Sequence, residues 1–336
     1  MQLGIRPPRR IPQRTALGCS CRGRVLLVLP RRVLSIGCLA TVGAHAALRL
    51  LPCAANQPRR PMTSVRLLSV FALLSVLTGC AVARLSLPEG PGTPFPDYAP
   101  LFETAVSECR RVRTLEAMIR LRGRSGGATL NGRVRAGLAA PGSVRLEGLA
   151  PFGAPGFYLV ARPGEATLWL TREARVLRDV PAVDMLESLT GVPFGPEDLR
   201  AVLTGCLVPD PQPTAGRSYG DWVVVDLRGG AVAYLRPVDG EYHLIAGTRD
   251  GLTIEYGEFR RRIPRQVRVL SVPTEFNGRT RSLTDLTATL SQVSLGVEIS
   301  DAVFSLAVPA DVVPMTLEEL RRVGPLEAPP GSSSFD

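Results

Sequence analysis

The 336-residue chain carries 40 Lys plus Arg against 30 Asp plus Glu, a formal charge of +10, and every one of those cations is arginine. The excess is local: eleven Arg and no acid precede Met62, whereas 28 Arg face 30 acids from Cys80 onward. A strongly basic pI ordinarily points to nucleic acid or an anionic surface, but with the excess confined to the leader no nucleic-acid partner is expected for the body.

Residues 1–61 mix Arg, Pro, Cys and short apolar runs without sustained periodicity. They read as a leader upstream of a true start at Met62, the alternative being a long targeting presequence. After Met62, Arg66 supplies a positive flank and Leu67 to Leu77 an apolar run. That run is shorter than the ~20 residues needed to cross a bilayer and fits the h-region of a signal peptide, over 62–79. Leu77-Thr78-Gly79-Cys80 resembles the lipobox of bacterial lipoproteins. The resemblance implies cleavage before Cys80 and acylation of that cysteine. Ala81, where an inner-membrane retention signal would have Asp, favours lipid anchoring at the periplasmic face of the outer membrane.

Residues 80–96, rich in Pro and Gly, read as a tether. From Asp97 to Ile119 the apolar residues Leu101, Ala105, Val106, Cys109, Val112 and Leu115 recur at helical spacing, which predicts an amphipathic helix. Short apolar segments follow at Val134 to Leu138, Val144 to Leu149, Phe157 to Val160 and Ala166 to Leu170. They are separated by Gly and Pro pairs and read as an antiparallel meander. Val183 to Leu189 and Glu197 to Leu203 return to helical spacing, with Pro196 at a first helical position and Gly205 at a C-terminal stop. Strands resume at Asp221 to Leu227, Ala231 to Leu235, Tyr242 to Ala246, Leu252 to Phe259 and Gln266 to Leu270. In the last long segment Leu286, Ala288 and Leu290 are even but Val293, Leu295, Val297 and Ile299 odd, so a bulge is expected between them. Thr316 and Glu319 have capping-box spacing, and Gly324 to Asp336 reads as a disordered tail.

Chemistry is sparse. His243 is alone on a strand-like stretch, and no metal-ligand spacing, nucleophile elbow, phosphate loop or dinucleotide fingerprint is present. Neither a cofactor nor an enzymatic activity is expected. Arg260, Arg261 and Arg262, with Arg265 and Arg268, read either as a headgroup patch or as a solvated turn whose charge discourages edge pairing. Cys109 and Cys206 survive processing into an oxidising compartment, as a disulfide or as two buried thiols.

Two blocks resemble the LolB-like outer-membrane lipoprotein receptors of the LolA/LolB superfamily. One runs Arg145-Leu146-Glu147, Ala150-Pro151-Phe152-Gly153, Phe157-Tyr158-Leu159-Val160, Pro163-Gly164 and Ala166-Thr167-Leu168. The other runs Met185-Leu186-Glu187-Ser188-Leu189-Thr190-Gly191-Val192-Pro193, then Leu199-Arg200 and Leu203-Thr204-Gly205. Tyr256-Gly257-Glu258-Phe259 and Ile263-Pro264 extend the likeness. It implies a mainly β, α+β domain over 97–323: a half-open antiparallel β-barrel whose hydrophobic concavity is covered by short helices. It also implies binding of acyl chains, receipt of acylated lipoproteins from a periplasmic LolA-like carrier, and their insertion into the outer membrane. The alternative is a lipid-binding or structural lipoprotein of the same fold without transfer. Strand alternation then offers Val144, Leu146, Phe157, Leu159, Leu168, Leu170 and Val224 as inward-facing residues, lining the cavity or packing an ordinary solid core, which periodicity does not distinguish. Pro151, Phe152 and Gly153 match a membrane-insertion loop, with Phe152 in the place of an exposed apolar residue; the alternative is a turn aromatic folded back on the core.

Overall fold

The computed structural model describes residues 85–150, 154–271, 274–276, 279–281 and 283–327, all within one unit, Ala81–Asp336. The leader, the signal segment, Cys80, the Pro151-Phe152-Gly153 loop and residues 328–336 lie outside the described residues.

A two-residue strand β1 (Thr93–Pro94) and helix α1 (Tyr98–Arg111) come first. The helix buries Phe102, Ala105, Val106 and Cys109 on one face. It ends eight residues before Ile119, the expected limit, because Val112 turns extended (φ −71°, ψ 103°). Leu115, Ala117 and Ile119 are buried in alternation with Glu116, Met118 and Arg120. That period of two belongs to strand β2 (Thr114–Ser125). Leu115 lies three residues after Val112, so it satisfied the helical pattern by coincidence.

The meander continues through β3 (Ala128–Ala139), β4 (Ser143–Gly148), β5 (Phe157–Arg162), β6 (Glu165–Leu170) and β7 (Arg175–Arg178). Helices α2 (Ala182–Thr190) and α3 (Pro196–Thr204) follow, each closed by a left-handed glycine, Gly191 and Gly205. The second run comprises β8 (Pro213–Tyr219), β9 (Trp222–Leu227), β10 (Val232–Val238), β11 (Glu241–Arg249), β12 (Leu252–Gly257) and β13 (Gln266–Ser271). A small ribbon of β14 (Thr274–Phe276) and β15 (Arg279–Arg281) leads into β16 (Thr284–Leu295). The register of β16 against β2 shifts between Ser291 and Ser294, with Gln292 at φ 51°. This is the bulge that the parity change called for. The short strand β17 (Val313–Pro314) and helix α4 (Leu317–Val323) complete the described elements, and Thr316 and Glu319 form the expected capping box.

Fifteen strands make one sheet in the order β1-β8-β9-β10-β11-β12-β13-β16-β2-β3-β4-β5-β6-β7-β17. Every pairing is antiparallel except β17 on β7. The sheet does not close, since its edge strands β1 and β17 have no partner in each other. The protein is thus a mainly β, α+β fold in which one inner face carries the core and the four helices among the described residues.

Both ends of the domain are more tightly held than the sequence suggested. The tether from Leu85 lies on the sheet: the Leu85 N–H donates to Glu255 Oε1 (3.1 Å) and Tyr219 Oη to the Gly90 carbonyl (2.6 Å). The first residues of the expected tail, 324–327, pack against β3, where the Asn131 N–H donates to the Leu326 carbonyl (3.1 Å).

Candidate functional site

The central strands β13, β16, β2, β3, β4 and β5 direct alternate apolar side chains inward, and α2 and α3 roof them. Between roof and sheet lies a cavity of about 80 Å³. Its walls are Ile119, Leu121, Val134, Leu146, Phe157, Val267, Val269, Leu286 and Ala288 from the sheet. Leu186, Leu189, Val192, Phe194, Leu199, Val202 and Leu203 line it from the helices and their connection. Thr190 is the one polar residue in the lining, and its hydroxyl donates to the Leu186 carbonyl (2.8 Å). With that hydroxyl engaged, a void so lined favours apolar occupants over water.

One further wall residue, Leu326, comes from outside both roof and sheet. It is 5% exposed and rests against Gly132, where a Cβ would meet Leu326 Cδ2 at 2.7 Å. The absence of a side chain at Gly132 makes the slot that Leu326 fills. Gly191, at the far end of α2, approaches the sheet as closely: a Cβ there would lie 2.2 Å from Ser125 Oγ. Ser125 in turn shares a buried hydrogen bond with Thr284 (3.0 Å).

The two roof helices are held differently. Asp198 accepts from the Gly195 N–H at the start of α3 (3.2 Å) and from Arg249 Nη1 on β11 (2.7 Å). Burial works against the Arg249 charge, but the hydrogen bonds it donates to Asp198 and Asp250 outweigh it and raise its pKa above the ordinary arginine value. Arg249 also stacks over Phe194 (5.6 Å). Arg200 Nη1 donates to the Val112 carbonyl (2.8 Å), and just past α3 Cys206 is disulfide-bonded to Cys109 of α1. Among the described residues no ion pair holds α2. It rests on the sheet and on α4 through Met185, Leu186 and Leu189.

Of the seven expected cavity residues, Leu146 and Phe157 line the void. Val144, Leu159, Leu168 and Leu170 are fully buried in the core without lining it, because α3 packs on β3 and β4 and α2 on β6. Val224 is a correction: Val223, Val225 and Leu227 join the inner core and Val224 does not. Successive residues on β9 point to opposite faces, and the run of three valines hid which parity is inward. The lining from β2, β13 and β16 was missed. Its alternation was visible, but which strands share the roofed centre depends on the β16–β2 pairing, made across 159 or more residues of sequence.

The remaining candidates lie elsewhere. His243 packs on Phe259 (4.7 Å between rings), and burial first, then the Arg262 charge, lowers its pKa. Of the basic run, Arg260 and Ile263 bracket a tight turn. Arg262 binds Glu241 (2.8 Å) and the Thr104 carbonyl (2.7 Å), and Arg268 binds Asp285. Among the described residues no group of three or more His, Cys, Asp or Glu gathers, and no helix is long and apolar enough to cross a membrane. Cys80 and Phe152 lie outside the described residues.

No protein-family model and no curated protein matches the sequence. Among solved structures, a LolA superfamily protein from Nitrosomonas europaea aligns with 61% of this chain and 97% of its own, at 11% identity and a TM-score of 0.41. A DUF1329 family protein from Desulfovibrio piger aligns with 62% of this chain and 96% of its own, at 13% identity and a TM-score of 0.40. The lipoprotein LppX from Mycobacterium tuberculosis aligns with 61% of this chain and 98% of its own, at 11% identity and a TM-score of 0.26.

Proposed function

We propose that this chain is a lipid-anchored extracytoplasmic protein that takes acyl chains between its sheet and the α2/α3 roof, and that it delivers acylated lipoproteins to the outer membrane. The observation that carries the reading is the apolar cavity at the centre of the sheet, walled by aliphatic and aromatic side chains. Burying an acyl chain of sixteen carbons is worth about 12 kcal/mol at ~0.8 kcal/mol per CH₂, so a carrier of lipid needs an enclosure of this chemistry. The Cys109–Cys206 disulfide suits the oxidising compartment that the signal segment addresses.

The cavity as it stands, about 80 Å³, is far below the ~300–1,000 Å³ of small-molecule sites. Loading therefore requires the roof to move. With α3 fastened at both ends and α2 held by apolar contacts, α2 and the adjoining Leu326 are the parts that yield. The half-barrel concavity implied by the family resemblance would be the opened form.

Binding is tested by titrating a fluorescent long-chain fatty acid into the purified protein. Saturable binding displaced by unlabelled palmitate is expected, and no binding would refute the reading. Transfer is tested in cells: depletion should leave other lipoproteins in the periplasm. Replacing Phe152 by Glu, in the loop proposed to enter the bilayer, should preserve acyl binding and abolish insertion. Burying that phenyl ring is worth roughly 1.5–3 kcal/mol, enough to orient an anchored protein. Binding with no periplasmic accumulation on depletion would favour a lipid-binding lipoprotein without transfer.

A further inference from the structure

The outer face of the sheet, opposite the cavity, has its own pattern. On β2, Arg120, Arg122 and Arg124 alternate with the inward Ile119, Leu121 and Gly123, and all three are exposed. Alternate residues on a strand stand ~6.7 Å apart, so the three form a ladder. Arg133 of β3, also exposed, pairs directly opposite Arg120. Like charges facing each other across a ladder are destabilising, and among the described residues no carboxylate stands directly opposite Arg120 or Arg133. The flanking positions are Thr287 and Thr289 on β16 and Thr129 and Asn131 on β3. Asp285, opposite Arg124, holds Arg268 through two 2.8 Å hydrogen bonds. Among the described residues no carboxylate pairs with Arg120, Arg124 or Arg133.

The start of the domain arrives on the same face. Leu85 and Ser86 line a groove of about 790 Å³ together with Arg122, Arg124, Arg236 and Arg268 and the carboxylates Glu255 and Asp285, which are both engaged by Arg268. Five residue steps separate Leu85 from Cys80, a span of at most ~18 Å.

We propose that the outer face of β2 and β3, through Arg120, Arg124 and Arg133 with Arg122 beside them, is the contact surface for the anionic phospholipid headgroups of the membrane to which the chain is anchored. Charge complementarity selects the occupant. The body as a whole carries 28 Arg against 30 acids, so attraction to an anionic surface must come from a patch. With Cys80 acylated as proposed above, a reading on which this inference rests, the short reach brings that patch to the bilayer carrying the anchor. The site faces away from the acyl cavity and does not depend on acyl binding.

The test uses residues 81–336, which contain every described element and lack both the acylation site and the arginine-rich leader. Co-sedimentation is measured with vesicles of phosphatidylcholine alone and with 30% phosphatidylglycerol. Binding to the anionic vesicles only, weakening as salt rises, is expected. Each arginine near such a surface strengthens partitioning roughly fivefold. The triple variant Arg120→Gln, Arg124→Gln, Arg133→Gln should therefore lose binding on the order of 100-fold, with its melting temperature unchanged or raised. The matching triple Lys variant should retain binding, and Arg260→Gln, Arg261→Gln on a separate turn should bind as the parent does. Equal binding to both vesicle types, full binding by the triple Gln variant, or an equal loss in the Arg260/Arg261 variant would overturn the proposal.

Discussion

Replacing Leu326 by Ala separates a removable occupant of the cavity from an ordinary core side chain, because both roles predict lower stability but only the first predicts that affinity rises as stability falls. The side chain is 5% exposed and seated on Gly132 inside the apolar void. Truncating a buried Leu costs about 2–5 kcal/mol. The lower end applies here, since the segment is held by one backbone hydrogen bond to Asn131 and a bridge from Glu327 to Leu130. Midpoint denaturant should fall accordingly in urea unfolding. If an acyl chain enters by expelling Leu326, the parent must return that side chain to water at a cost of about 1.5–3 kcal/mol. The variant is relieved of that cost, and its fatty-acid Kd should tighten about 10- to 150-fold. Leu168→Ala is the matched control. Leu168 is fully buried on β6 but absent from the cavity wall, so it should lose stability without gaining affinity. If affinity in Leu326→Ala stays level or weakens along with stability, Leu326 is a plain core residue and the loading route is wrong.

The Cys109–Cys206 bridge spans 97 residues of sequence. The chain-entropy relation then assigns it about 4–5 kcal/mol, to be read as the urea midpoint shift between the parent and Cys109→Ala, Cys206→Ala; an unchanged midpoint would count against that assignment. His243 offers a pH test. Burial, and then Arg262, places its folded pKa below the unfolded value of ~6.5, so folding favours the neutral ring. Stability should be full above pH ~6.5 and decline as pH falls through the lowered folded value. His243→Gln should flatten that part of the Tm-versus-pH curve, and an identical slope in parent and variant would show that other groups set it.

Much of the fold was legible because it is written locally. The strands from Val134 to Leu170 are cut by Pro-Gly and Gly pairs, Pro196 and Gly205 bracket α3, and the parity change after Leu290 announced the bulge at Gln292. What failed did so where two periods share residues. Val112 to Ile119 satisfies three-residue spacing as well as alternation, and only the ladders to β16 and β3 on either side decide for strand. The valine run of β9 has the same ambiguity in a different form: with three like residues in a row, alternation carries no sign, and Val224 was given the wrong face.

The site was half legible for a related reason. Leu146 and Phe157 announce an inward face, but a cavity exists only where the roof stops short of the sheet, and that depends on which strands lie beneath α2 and α3. The sheet places β16 beside β2, and β13 beyond β16, although the chain separates them from β2 by more than a hundred residues, so their lining side chains read only as strand. Leu326 is the sharpest case. It follows Gly324 and Pro325 in a stretch whose composition signals chain end, and no periodicity marks one isolated leucine as buried. Its seat is created by Gly132, almost two hundred residues earlier, through what that residue lacks. A side chain placed by a distant absence leaves no local pattern. It also has few bonds to break, and on the loading scheme argued above these two properties belong together: the segment that is hardest to read as structure is the one that can be displaced.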